Sequence, residues 1–182
     1  MYIRALVDRE SAEKKISDKK ILFFKLKRKV SKLEIIYLPY YVFKVVISSK
    51  KNKKEIEIAV DGIGGNTTMF TSESASISEE AAGESFGFKL TSEEAEQKAL
   101  HELKWTLYEN RVPLKGIYNP ETVTDRKQVY FPYWVGYFLE GKNWNFKAID
   151  ALAGAPDGMR IRRVLMEAFQ LKPSSQMNPG SE

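Results

Sequence analysis

The chain has 182 residues, 43% of them hydrophobic, enough to bury a core without staples. It contains no cysteine and a single histidine, which excludes a disulfide framework, a thiol nucleophile and a thiolate metal site. The net charge of +5 favours anionic partners, but the 24 acidic residues are interspersed with the 29 basic ones, which is the pattern of a solvated mixed surface.

Arg4, Asp8, Arg9, Glu10 and Glu13 make the start of the chain unlike a secretory signal, so the expected location is cytoplasmic. A helix is predicted from near Asp8, with Ala12 and Ile16 on its apolar side. Ile21 to Val30 fits either helix or strand, because Phe24, Leu26 and Val30 also follow a period of two. Tyr40 to Ile47, entered through Pro39, is rich in β-branched and aromatic residues and reads as a strand. Lys50 to Lys54 is the polar turn joining it to a second strand that ends at Asp61-Gly62. The apolar stretches Leu33 to Ile47 and Val129 to Leu139 fall short of the roughly 20 residues a membrane-spanning helix needs.

Thr71 to Gly87, rich in Ser, Glu, Ala and Gly, reads as an exposed connector. Thr91 or Ser92 followed by Glu93 and Glu94 opens a second helix, which carries the apolar residues Ala95, Ala99, Leu100, Leu103, Leu107 and Tyr108 and runs to about Asn110. Pro113 to Lys127 holds the turn formers Pro113, Gly116, Asn119, Pro120 and Asp125 and is predicted as a loop. Tyr133 to Leu139, entered through Pro132, is a strand, with a polar turn at Glu140 to Asn143. A last helix spans Met159 to Phe169, and the chain from Lys172 onward is predicted to be a disordered tail.

Tyr37-Leu38-Pro39-Tyr40-Tyr41-Val42 is answered by Tyr130-Phe131-Pro132-Tyr133-Trp134-Val135, and Asp61-x-Ile63-x-Gly65 by Asp150-x-Leu152-x-Gly154. Ahead of each comes Ala-Glu-x-Lys, at Ala12 and at Ala95. These blocks predict two diverged copies of one unit. The first covers residues 1–70 and the second 89–170, with a connector at 71–88 and the tail at 171–182. The expected fold class is α+β, each repeat a helix plus an antiparallel β-hairpin, followed by a C-terminal helix. One detail resists the alignment, since Ile56, Ile58 and Val60 alternate in the opposite parity to Trp144, Phe146 and Ala148. Either a bulge intervenes or both faces of this strand are covered.

A helix, a hairpin and a closing Asp-x-x-Gly turn resemble PepSY-like domains, best over Thr91 to Gly154. The Tyr-x-Pro-x-Trp entry also resembles a hairpin motif of small bacterial and archaeal domains. The resemblance implies a binding or inhibitory module without catalytic residues.

The candidate binding surface is Tyr41, Trp134, Tyr137 and Trp144 with Lys50, Lys51, Lys53 and Lys54. Aromatics can stack bases or clamp a peptide while the lysines neutralise phosphates, although alternating strand aromatics also suit a core. His101 reads as an ordinary helical histidine, because one histidine builds no common zinc site. Asp61 and Asp150 cap turns, and would form a catalytic or cation-binding pair only if brought together. The expectation is thus a non-catalytic binding or scaffolding module for a protein or peptide, with no cofactor or metal. Nucleic-acid binding is the alternative, an enzyme comes third, and a homodimer through sheet edges is possible on this pattern.

Overall fold

A computed structural model describes the whole chain except residues 22–23, 51, 71–75, 110–117, 157 and 171–182, and the side chains of 19–26. The expected tail and the first part of the expected loop therefore lie outside the described residues.

In chain order the elements are β1 (Tyr2–Ile3), α1 (Arg9–Ser17), β2 (Asp18–Ile21), β3 (Phe24–Lys27), β4 (Lys32–Ser48), β5 (Lys53–Asp61) and β6 (Thr67–Phe70). They continue as β7 (Ile77–Ser78), β8 (Glu84–Ser85), α2 (Ser92–Tyr108), β9 (Asn119–Glu140), β10 (Asn143–Asp150) and α3 (Met159–Gln170). Asp8 caps α1, its Oδ1 accepting from Ser11 N at 2.8 Å. Thr91 caps α2 in a reciprocal box with Glu94. The stretch left open between helix and strand is the β2–β3 hairpin, a two-stranded sheet separate from the main one.

The α+β fold is built on a large mixed sheet whose centre is the antiparallel pair β4 and β9. β5 and then β6 extend it beside β4, and β10 extends it beside β9. The short strands β8 and β1 run parallel to β4 and β9, in line with β5 and β10. The central register pairs Tyr37 with Pro132, Leu38 with Phe131 and Pro39 with Tyr130, so the two Tyr-x-Pro blocks cross at their middle residues.

This crossing explains the prolines. Tyr130 N donates away from β4, to Met1 O at 2.9 Å, and Pro39 O accepts away from β9, from Gly62 N at 2.7 Å. The N–H that Pro39 lacks would therefore point outward, into the gap between β5 and β8, where no ladder bond is lost. Pro132 stands in the same gap between β10 and β1, its carbonyl accepting from Ala151 N. The prolines thus lie inside long strands and are not their entries.

A second correction concerns residues 119–127, which continue β9 and are no loop. β4 pairs with β9 as far as Ser48 opposite Asn119. Two register shifts, between Lys44 and Val45 and between Val46 and Ile47, leave Thr124 and Glu121 as extra residues on β9. Bulges absorb the turn formers, while Thr122 and Val123 supply strand propensity. The connector is also partly structured, since β7 pairs with β1, β8 pairs with β4 and Phe86 is buried.

Both faces of the sheet are covered. On one, α2 lies over Tyr41, Phe43, Ile58 and Val60, and α1 lies over Leu33, Trp134 and Ile149. On the other, α3 packs Val164, Leu165 and Ala168 against Ile36, Tyr133, Val135 and Ala148. β5 and β10 pair with their neighbours without a register shift. The opposite parity of Ile58 and Phe146 therefore has no bulge behind it: Ile58 packs under α2 and Phe146 under Phe169 of α3.

On the α3 side the hydroxyls of Tyr40 and Tyr133 meet at 2.9 Å, buried, across the crossing point. Tyr40→Phe and Tyr133→Phe are each expected to cost about 1 kcal/mol, and the double variant less than their sum, because either change already removes the shared bond. Urea denaturation of the set checks this; strict additivity would show that the bond contributes nothing.

Candidate functional site

The two aspartates occupy matching turns. Asp61 is 1% exposed. Its carboxylate accepts from Ile63 N at 3.1 Å, Gly64 N at 2.5 Å, Asn66 N at 2.6 Å and Asn66 Nδ2 at 2.7 Å. Asp150 accepts from Leu152 N at 2.6 Å and Ala153 N at 3.3 Å. Each turn closes on a glycine of positive φ, Gly65 at 76° and Gly154 at 65°, whose N–H donates back to the aspartate carbonyl. Asp61 lies opposite Tyr40 and Asp150 opposite Tyr133, itself opposite Ile36. Three strand spacings and a four-residue offset put the carboxylates on the order of 20 Å apart. Two carboxylates acting on one reactant work within about 10 Å. The turns therefore use these groups separately, and among the described residues no three His, Asp or Glu gather as a metal site.

The proposed aromatic and lysine surface is not gathered in one place. Tyr41 is 5% exposed beneath α2 and donates its hydroxyl to Leu90 O at 2.9 Å. Trp134, half-buried beside α1, donates Nε1 to Val7 O at 2.8 Å. Tyr137 packs against Phe146 and Phe169; burial first, then its hydrogen bond to Glu34, pushes its phenol well above the ordinary range. Trp144 alone of the four is mostly exposed, at 57%. It stands near the β9–β10 turn, at the opposite end of the β4–β9 pair from the β4–β5 turn that carries the lysines. There Lys53 pairs with Glu121 at 2.9 Å, Lys54 sits 6.0 Å over the ring of Tyr118, and Lys50 is exposed. Lys51 lies outside the described residues.

His101 is exposed on α2 and accepts from Trp105 Nε1 at 3.2 Å. It borders an open cleft of about 700 Å³ that also takes in Glu94, Lys98, Glu102 and Arg160. Two acids and two bases there select no one ligand charge.

The strongest surface feature is one that the overall composition hides. Residues 14–32 hold nine Lys and Arg against Asp18, a net +8, leaving 20 basic against 23 acidic residues elsewhere. A running charge count along the chain would have shown it. The structure makes residues 18–27 of this segment the β2–β3 hairpin, in which Lys20 stands opposite Lys25 and Asp18 opposite Lys27. Like charges in direct register are destabilising, and a two-stranded hairpin is marginal on its own. Its base is held by Arg28, which donates its backbone N–H to Ser17 O at 2.9 Å and lies 4.1 Å over the Phe138 ring and 3.7 Å from Glu140. Lys14, Lys27 and Lys29 are exposed and have no acidic partner among the described residues. Nearby, burial and the Arg28 charge hold the Lys147 ammonium below its ordinary range.

No protein-family model matches the chain, and neither a curated protein nor a solved structure was found to resemble it.

Proposed function

We propose that the chain is a non-catalytic binding module, made of two diverged copies of one helix–hairpin unit, that engages an anionic partner through the β2–β3 hairpin. The recurring bonds support the duplication. Leu6 and Val7 donate to Ala151 O as Lys89 and Leu90 donate to Gly62 O, and Trp134 reaches Val7 O as Tyr41 reaches Leu90 O. These pairs keep the offsets of 83, 93 and 89 residues between the matched sequence blocks. Each copy lends its helix to the other copy's hairpin. The PepSY resemblance points to the same class of function, binding without catalytic residues.

One observation carries the binding role: a net charge of +8 is concentrated over residues 14–32, from the end of α1 to the first residue of β4, around a hairpin that the main sheet does not include and for which α2, still helical at the matching positions, has no counterpart. A segment that repels itself is stabilised by a partner of opposite sign. The full chain should be retained on a heparin column and elute only at raised salt, while Lys27→Glu/Lys29→Glu elutes markedly earlier. Equal elution of the two proteins would overturn the assignment of the surface.

A further inference from the structure

We infer that this anionic partner is a phospholipid surface, met by the end of the molecule that carries the β2–β3 hairpin and Trp144; the inference rests on the binding role proposed above. Arg28 fixes the base of the hairpin on Phe138 and Glu140, at the β9–β10 turn. On the opposite face of the same strand ends, Trp144 and Leu139 stand directly across from each other, 57% and 53% exposed. Lys142 is exposed in the turn between them. One end of the molecule therefore combines unpaired lysines with an exposed tryptophan and an exposed leucine.

That combination matches the boundary between headgroups and acyl chains, where indole rings settle and aliphatic side chains enter while lysines stay with the phosphates. The sequence of the hairpin repeats the pattern. Its last registered pair, Ile21 opposite Phe24, is apolar, and lysines stand behind it on both strands. Nucleic acid accounts for the lysines and for Trp144, but the exposed Leu139 has no base face to stack on. Charge also sets the approach, because the remainder of the chain is net negative and is turned away from an anionic surface. Among the described residues no helix is long and apolar enough to cross a membrane, so the contact is peripheral.

Co-sedimentation of the full chain with vesicles of phosphatidylcholine, with and without phosphatidylserine, tests the inference. Binding is expected only with phosphatidylserine and should weaken with salt. Each surface lysine contributes about 5-fold near such a membrane, so Lys27→Ala/Lys29→Ala should lower the partition coefficient about 30-fold. Trp144→Ala should lower it about 10-fold with little change in salt dependence. Vesicles should shift the tryptophan emission to the blue in the wild type and not in Trp144→Phe. Retention on heparin without vesicle binding would overturn the lipid assignment and leave the basic surface standing. Tighter binding to single-stranded RNA than to vesicles would make nucleic acid the partner, and binding to neither polyanion nor vesicle would overturn both readings.

Discussion

Asp61→Ala is expected to lower stability by about 3 kcal/mol, against about 1 kcal/mol for Asp150→Ala. The two aspartates occupy matching turns, yet Asp61 is buried and receives four donors, while Asp150 is half-buried and receives two. Deleting a buried acceptor leaves its donors desolvated, and that penalty exceeds the net worth of the bonds themselves. Asp61→Asn should recover little, because whichever way the amide faces, an N–H₂ group meets donors that now point at an oxygen. For a chain of this size the loss corresponds to a fall in melting temperature on the order of 10 °C. Thermal unfolding of the variants decides the matter, and equal small losses at the two positions would show that burial of the first turn contributes nothing.

The second large effect concerns a size exchange between the two helix–hairpin contacts. Gly136 on β9 lies beneath Ile16 of α1, and a Cβ there would meet Ile16 Cγ2 at 2.6 Å and Val30 Cγ1 at 3.3 Å. At the positions that the proposed duplication would match to these, 83 residues on from Ile16 and 93 back from Gly136, stand Ala99 and Phe43, buried in one cluster. One contact is thus a large helix residue over a glycine, and the other a small helix residue over a phenylalanine. Ile16→Ala alone should cost about 3 kcal/mol through the cavity it leaves, and Gly136→Phe alone should cost at least as much through the clash. Together they reproduce the Ala–Phe arrangement and should cost less than their sum by about 2 kcal/mol. A denaturation cycle that closes additively would refute the exchange.

How far the sequence foretold this structure differs from one element to the next, for physical reasons. Helix α2 announces itself through Thr91, Glu94 and the spacing of Ala95, Ala99 and Leu103, all local signals, and its boundaries were readable to within two residues. The hairpin strands were readable in type from Tyr40 to Ile47 and from Tyr133 to Leu139, but not in length. Pro39 and Pro132 suggest strand ends unless the neighbouring strand is known to change at that level. Likewise Pro120 and Asp125 suggest a loop unless β4 is there to pair with the bulged chain. Among the candidate site residues, Tyr41 and Trp134 could not be told from surface aromatics, because the helices that cover them come from the far half of the sequence. The basic segment was legible and was averaged away by counting charge over the whole chain.

The crossing of the two halves also bears on how such a chain comes to be folded as it is made. Tyr2 finds its strand partner at Tyr130, and Leu6 and Val7 bond to Ala151, so these residues wait for partners that are synthesised much later. Contacts of that separation slow the search for the native state, and they deny the nascent chain the usual course in which an N-terminal domain closes before the next is synthesised. The surface that α1 covers, Leu33, Trp134 and Ile149, is complete only once β9 and β10 have been made. Until then the apolar side of α1, Ala12 and Ile16, stays open.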